Sequence, residues 1–492
     1  IAKAVGKTPE QVEEIFTHTG DLGKTAEELI KKKVQLTLIK KELKVNDVFN
    51  NLKLIAKQVG KGSQERKLNL IIELLAHAKP KEAKYIVRTI LEELRIGVAE
   101  GIVRDAIAKA FDIKPEIIEN AWFLHPDYGE IARIAKEAGE EGLKKIRIEI
   151  GRPIMVLLAE KSPDLKTALE SYEHPAVEFK YDGMRAQIHI KDSKIWIFTR
   201  RLENVTSAFP DLVEICRKGI KAKEAIVEGA ALAIDPKSGR PLPFQMLSTR
   251  IKRKYEIEKA AEQIPVQLNL FDIVYLNGKI LFDKPLRERL NLLHKIVKPI
   301  EGKLQFAEQL VTKDLKKAEE FYHRALAAGQ EGVMVKNLDA KYVPGRRVAG
   351  GWLKVKPVME TLDLVIIGAS WGTGKRAGWL GSFILGCRDP ETGEFLECGM
   401  LGTGIKEKKT NPEDVTFADL TEMLKPYIIS EKEGVVKIKP KIVIEVAYEE
   451  IQKSPTYSSG WALRFPRFIR LRPDKAPEEA DTLERIEALY KI

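Results

Sequence analysis

The sequence predicts a multidomain α and β protein with an all-helical block at residues 1–148, an α/β block at 149–358 and a small β-barrel at 359–492. Three observations carry this reading. A chain of 492 residues is longer than one hydrophobic core organises, so roughly two to four domains are expected. Apolar residues recur at three- and four-residue spacing through the first block and in short strand-like runs after it. Gly151 and Pro153 punctuate the chain where one pattern gives way to the other.

In the first block, residues 81–110 read as helix with a break at Gly97. The chain opens on Ile1 in what already looks like mid-domain helix, so a further N-terminal piece is expected ahead of it. From about residue 176 strands take over: AVEFK, RAQIHI, KIWIFT, AIVEGAALAI, VQLNLFDIVYL and GVMVKN. Helical stretches intervene at 285–298 and 313–328. Short turns between the strands predict mostly antiparallel neighbours. After Pro357, LDLVIIGAS, SFILGC, EFLECG and KIVIEVAYEE alternate with Gly-rich turns, as in a small barrel. There is no internal repeat and no low-complexity tract.

With 44% hydrophobic and 32% charged residues, the composition is that of a folded chain and not of a disordered one. The net charge of +11 is concentrated: 37 basic against 26 acidic residues in 151–358, where the flanking blocks are nearly balanced. A basic central block suits a polyanion or a phosphate compound. Lys and Glu enrichment of the thermophile kind also raises the number of charges. Cys216, Cys387 and Cys398 form neither a CxxC pair nor a Cys/His cluster, which excludes a disulfide framework and a zinc site of ordinary spacing. No run approaches membrane-spanning length and no signal peptide is present, so an intracellular, cytoplasmic location is expected.

The chemistry concentrates in Glu178-Phe179-Lys180-Tyr181-Asp182-Gly183-Met184-Arg185. A lysine attacks phosphorus only as the neutral amine, and burial and neighbouring cations favour that form. Arg185, Lys354 and Lys356 could supply the charge and hold phosphates. Glu178 and Lys180 are two apart, so on a strand they share a face. A base could then be read by one while the α-phosphate is attacked by the other. Taken singly, most of these residues have bland explanations: a charged strand end is usually just solvated.

Together, and in order, the motifs resemble those of the covalent nucleotidyltransferases, the superfamily of DNA ligases, RNA ligases and mRNA capping enzymes. KYDGMR resembles their nucleophile motif, with Lys180 as the catalytic residue. The resemblance implies that Glu178, Arg185, Arg200 (FTRRLEN), Phe271 (LNLFDIVYLNG), Arg347 and the two lysines of WLKVK, Lys354 and Lys356, bind ATP. It implies that Glu331 (EGVMVK) and Glu228 hold a metal, Mg²⁺ or in its place Mn²⁺. Arg464, Arg467, Arg472, Asp474 and Lys475 resemble the terminal motif carried on an OB-fold barrel. ELRIGVAEGIVRDAIAKAFD resembles part of the helical DNA-binding domain of archaeal and eukaryotic replicative DNA ligases, which RNA ligases and capping enzymes lack. The blocks are thereby expected to be a DNA-binding domain, a nucleotidyltransferase (adenylation) domain and an OB-fold domain.

What the resemblance implies is an ATP-dependent DNA ligase of replication, repair and recombination, a monomer acting on nicked double-stranded DNA, with a sliding clamp as a further partner and a thermophilic archaeon as the kind of source. An RNA ligase or capping-type enzyme is the alternative within the superfamily. One position departs from the pattern: Ala230, in Glu228-Gly229-Ala230, stands where the family carries a second glutamate. A DNA-binding protein attenuated at Ala230 is therefore an alternative from another class. Trp371-Gly372-Thr373-Gly374-Lys375 is not a P-loop, because Ala369 and Arg376 occupy positions that need Gly and Ser or Thr.

Overall fold

A computed structural model of the chain describes residues 1–32, 42–60, 62–251, 256–345, 351–357, 359–411, 414–432 and 434–490. Arg347 lies outside the described residues. The chain divides into two compact units: Val98–Pro357, and Ile1–Gly97 together with Val358–Ile492.

The N-terminal part of the second of these carries α1 (Ala2–Val5), α2 (Pro9–Thr19), α3 (Leu22–Lys31), α4 (Val45–Lys57), α5 (Ser63–His77) and α6 (Pro80–Ile90). Local chemistry starts these helices. Thr8 and Gln11 exchange side-chain and backbone hydrogen bonds ahead of α2, with Pro9 at its first position. Asp21 caps α3 and is itself ion-paired with the buried Arg88 at 2.5 Å. Leu29, Leu74, Leu75, Ile86 and Val87 form the core between them. The helical pattern of 81–110 is interrupted more widely than Gly97 alone predicts. Glu92, Arg95 and Gly97 all take positive φ, and Arg88 donates to the Leu94 carbonyl at 3.1 Å, fixing residues 91–99 as a loop.

The unit Val98–Pro357 opens with α7 (Glu100–Phe111), α8 (Pro115–Leu124) and α9 (Tyr128–Lys144), packed on Ile107, Ile118, Ile131 and Leu143. Twelve strands follow among its described residues: β1 (Glu160–Lys161), β2 (Pro175–Phe179), β3 (Met184–Lys191), β4 (Lys194–Thr199), β5 (Glu224–Ile234), β6 (Pro241–Leu242), β7 (Val266–Leu276), β8 (Lys279–Ile280), β9 (Leu304–Phe306), β10 (Gln309–Val311), β11 (Val333–Asn337) and β12 (Trp352–Val355). They form two sheets, ordered β1-β12-β11-β2-β10 and β4-β3-β5-β7-β8, with β6 on β5 and β9 on β7. Pairing is antiparallel except for β1 with β12 and β7 with β9.

Each sheet has its own core on one face. Val177, Phe179, Val333, Val335 and Val355 of the first pack on α10 (Leu165–Glu170) and on Phe321 and Ala325 of a later helix, Leu315–Ala327. Ala186, Ile188, Val227, Ala231 and Leu268 of the second pack with Leu212, Ile215 and Cys216 of the helix Pro210–Gly219. Because side chains alternate along a strand, the opposite faces carry Glu178, Met334, Lys336 and Trp352 on one sheet, and Arg185, Gln187, Glu228 and Ala230 on the other. These two faces meet, joined by an apolar cluster that includes Ile154, Leu157, Ile226, Val274, Tyr342 and Trp352.

After Pro357 the chain forms an antiparallel β-rich domain. Its long strands Leu362–Trp371, Leu380–Arg388 and Phe395–Leu401 pair in sequence, and Val443–Ala447 joins the first of them to Arg467–Leu471. Leu364, Ile366, Phe383, Leu385, Ile444 and Phe468 fill the interior, with the helix Phe417–Leu424 set against it.

Candidate active site

Lys180 follows directly on β2, a strand buried along its whole length. Its backbone continues the pairing towards β11: the Lys180 amide donates to the Gly332 carbonyl at 2.9 Å, and the Glu331 amide donates to the Lys180 carbonyl at 3.0 Å. The next turn is fixed by Asp182, whose amide donates to Gln330 at 3.0 Å and whose carboxylate accepts from the Phe244 amide at 3.1 Å. Two glycines make the close approaches possible. A Cβ on Gly183 would lie 2.5 Å from the Ala231 carbonyl, and one on Gly332 (φ +131°) would lie 2.3 Å from the Val355 carbonyl.

The Lys180 ammonium is ion-paired with Glu331, and Lys356 reaches the same carboxylate oxygen at 2.5 Å. Burial drives the Lys180 pKa below that of an ordinary lysine; Lys356 and Lys354 push it the same way, and Glu331 opposes them. Burial would raise the Glu331 carboxyl, but Lys180 and Lys356 outweigh it and hold that group below the usual carboxylate range. Lys354 lies on β12, level with Met334 and, one strand further, Glu178.

Two further ion pairs line the space between the sheets. Arg185 donates to Glu228 at 2.8 Å and to the Leu157 carbonyl at 2.6 Å. Glu228 is fully buried, and its bonded oxygen also accepts from the Tyr342 hydroxyl at 3.0 Å. A cation held by that oxygen would have to displace Arg185. From the other sheet Lys336 pairs with Glu178, and Gln309 donates to the second Glu178 oxygen at 2.7 Å. Phe271 and Trp352 stand edge to face at 5.6 Å, with the Arg185 guanidinium 5.5 and 5.3 Å from their centres. Glu228 Oε1, Arg185 Nε, Asn269 Nδ2 and Trp352 Nε1 are buried without a hydrogen-bond partner among the described residues. Unmet donors and an unmet acceptor beside an aromatic pair have the chemistry to bind a heterocyclic base.

The structure thus brings Glu178, Lys180, Arg185, Glu228, Phe271, Glu331, Lys354 and Lys356 together between the two sheets. Arg200 is exposed in the turn after β4 and makes no hydrogen bond or ion pair among the described residues. Ala230 is 8% exposed, with Arg185 and Asn269 as its strand neighbours. Sequence reasoning missed Lys336, Trp352, Gln309 and Tyr342. A lysine inside the apolar run GVMVKN was the available signal, since such a residue is seldom buried unpaired. In the other unit, Arg472 and Lys475 both donate to Asp363, at 2.7 Å in each case, and Arg472 also holds Asp474 at 2.8 Å. Arg464 pairs with Glu450 at 3.1 Å, and Arg467 is exposed.

Family profiles match in the same order as these parts: the DNA ligase N terminus over residues 1–108, the ATP dependent DNA ligase domain over 156–356 and the ATP dependent DNA ligase C terminal region over 376–475. The chain belongs to the ATP-dependent DNA ligase family. The DNA ligase of Nanoarchaeum equitans is 52% identical over 493 residues, spanning all of this chain and 87% of the relative. That of Thermococcus onnurineus is 48% identical, spanning all of this chain and 86% of the relative. The solved structure Pmar-Lig_PreS3 superposes with a TM-score of 0.58 at 19% identity, covering 94% of this chain and 99% of its own, and shares the fold. The protein is accordingly a nucleotidyltransferase-type ligase that uses ATP and acts on DNA.

Proposed function

We propose that the ligase seals nicks in duplex DNA through an adenylate on Lys180. The observation that carries this is the Lys180 amine, placed among Glu331, Lys354 and Lys356 with its pKa lowered by burial. The neutral amine attacks the α-phosphorus of ATP. A P–N bond forms, the bond to the pyrophosphate oxygen breaks, and the amine's proton is lost. The 5′-phosphate of the nick then takes AMP from Lys180, and the 3′-hydroxyl displaces AMP from that phosphate. Glu178, Arg185 and Phe271 bind the nucleoside; Lys354 and Lys356 hold phosphate charge as flexible cations. Arg200 and Arg347 belong to the same ATP-binding set by family resemblance.

Glu228 Oε1, buried without a hydrogen-bond partner among the described residues, is an acceptor that a cation such as Mg²⁺ would fit. No group of three His, Cys, Asp or Glu able to hold an ion occurs among the described residues, and Mg²⁺ is commonly bound by one or two carboxylates and substrate phosphates. Glu331 is the carboxylate that would hold it, or Mn²⁺ in its place, with Glu228 set deeper. When bound, the ion neutralises phosphate charge.

Residues 1–148 as DNA-binding domain, 149–358 as adenylation domain and 359–492 as OB-fold domain complete the proposal. Arg464, Arg467, Arg472, Asp474 and Lys475 serve ATP or nick phosphates. The ligase acts as a monomer in the cytoplasm, with a sliding clamp as partner. No helix among the described residues is long and apolar enough to cross a membrane.

The test is transfer of label from α-labelled ATP to the protein. Lys180→Ala abolishes it, and Lys180→Arg does too, because a guanidinium stays protonated. Nicked-duplex binding is retained in both. Adenylation surviving in either variant sinks the assignment.

A further inference from the structure

Lys336 is almost fully buried, at 2% exposure, in a strand whose outer-face neighbours are valines. Buried lysines usually run their stems along apolar surface to reach water. Lys336 instead ends on the Glu178 carboxylate, with its ammonium 4.4 Å from the centre of Phe271 and 4.3 Å from that of Trp352. Apart from these it has no hydrogen-bond partner among the described residues. Glu178 has its other oxygen occupied by the Gln309 amide at 2.7 Å. Two donors therefore face the two oxygens, which is the arrangement of an ionised carboxylate and not of a carboxylic acid.

We infer that Lys336 sets the base selectivity of the nucleotide pocket. It holds Glu178 as a pure hydrogen-bond acceptor, so that the pocket takes a purine with an amino group at position 6 and refuses one with a carbonyl oxygen there. The inference rests on the reading of the cleft as the site of Lys180 adenylation. An amino group donates to a carboxylate, whereas a carbonyl oxygen placed against it repels.

Burial by itself favours the protonated acid. It pushes the Glu178 carboxyl above the usual carboxylate range, and the charge of Asp272 from β7 adds to this, while Lys336 and the Gln309 amide oppose the shift without cancelling it. Asp272 is in turn ion-paired with Arg289 at 2.8 Å. Lys180 at the end of β2 is committed to Glu331, and Arg185 from β3 to Glu228. Lys336 is thus the cation dedicated to Glu178. Replaced by a neutral side chain, it leaves a buried carboxyl with less to oppose its proton, and the protonated form can donate to a carbonyl oxygen. Lys336 is a positioning residue: it acts through Glu178.

The experiment measures transfer of label from α-labelled ATP and α-labelled GTP to Lys180 in the full chain, from about pH 6 to about pH 9. It compares the unaltered ligase, Lys336→Met and Lys336→Arg. In Lys336→Met the KM for ATP should rise about tenfold or more with a smaller change in kcat, and the ATP:GTP preference should fall about tenfold or more. That preference should return as pH rises and Glu178 ionises without help. Lys336→Arg keeps the charge and should retain the preference within about threefold. An unchanged ratio in Lys336→Met, or a loss confined to kcat, overturns the inference. If Lys336→Met does not fold, the unaltered ligase still decides: its ATP:GTP preference should be flat with pH, and a decline towards acid pH overturns the inference. Label that lands on a residue other than Lys180 overturns the reading of the site itself.

Discussion

Lys180 and Lys356 converge on one oxygen, Oε2 of Glu331. The proposed nucleophile and a proposed phosphate-holding cation therefore share a counter-ion, and the charge of Lys356 helps to lower the proton affinity of Lys180. Self-adenylation should rise with pH through a lysine pKa lower than the ordinary one and then level off. Lys356→Met removes a charge that disfavours the Lys180 ammonium, so the profile should move to higher pH. Glu331→Gln removes the charge that favours it, so the profile should move to lower pH. Single-turnover adenylation at saturating ATP checks both. Shifts of the same sign in the two variants would show that these charges do not govern Lys180.

Duplex binding should be governed by phosphate contacts. Affinity should fall linearly with log salt, at roughly 0.9 units of log K per phosphate neutralised, and differ little among nicked duplexes of unrelated sequence. Fluorescence anisotropy across a salt series measures the slope. Strong sequence dependence would contradict a grip made on the backbone.

Ala230→Glu should speed sealing by roughly tenfold or more, about 1.4 kcal/mol in barrier. The new carboxylate would stand between Arg185 and Asn269, whose buried Nδ2 has no hydrogen-bond partner among the described residues. It would add a second anion on the face that already carries Glu228. Single-turnover sealing of a pre-adenylated nick, with Mg²⁺ titrated for both proteins, is the measurement. Equal rates and equal metal dependence would mean that Glu228 already does this work.

The pair Asp272–Arg289 is wholly buried, with a contact of 2.8 Å. Asp272→Ala leaves an unpaired buried guanidinium and should cost about 3–5 kcal/mol. Replacing both by leucine should cost much less. Thermal melts of the three proteins give the ordering, and equal losses in single and double variants would refute it.

His189 is held neutral: burial lowers its pKa to about 3, and its Nδ1 accepts from the Gly151 amide at 3.1 Å. Unfolding releases it to the ordinary value of about 6.5. Its contribution to stability is therefore complete above about pH 6.5 and lost as pH falls towards about 3. His189→Gln should flatten the acid limb of a stability–pH curve. An unchanged limb would place the acid sensitivity elsewhere.

Much of this architecture could be read from spacing. Alternation in 176–180 and 332–337 located two strands, the helical period located 285–298 and 313–328, and Lys180 stood out as a lysine closing an apolar strand. Register between distant strands is another matter. Nothing in the alternation of GVMVKN says that Lys336 lies level with Trp352 on one side and Ala176 on the other, two residues from Glu178, because β2 and β11 are joined by long-range pairing. Gln309 was invisible for the same reason, being placed against Glu178 by a three-residue strand. The arginine-rich C-terminal run could be recognised, but its partner Asp363 lies 109 residues earlier than Arg472.

The two sheets of the Val98–Pro357 unit are each stabilised from their outer face, and the proposed nucleotide site lies at the seam. This separates two kinds of tolerance. Conservative changes in either outer core leave the spacing across the seam to Ile154, Leu157, Tyr342 and Trp352, and so tax stability alone. Changes in those four alter how far Glu178 stands from Arg185 and Phe271, and hence the shape offered to a base. A fold so divided can drift widely in its outer cores while its chemistry stays where it was.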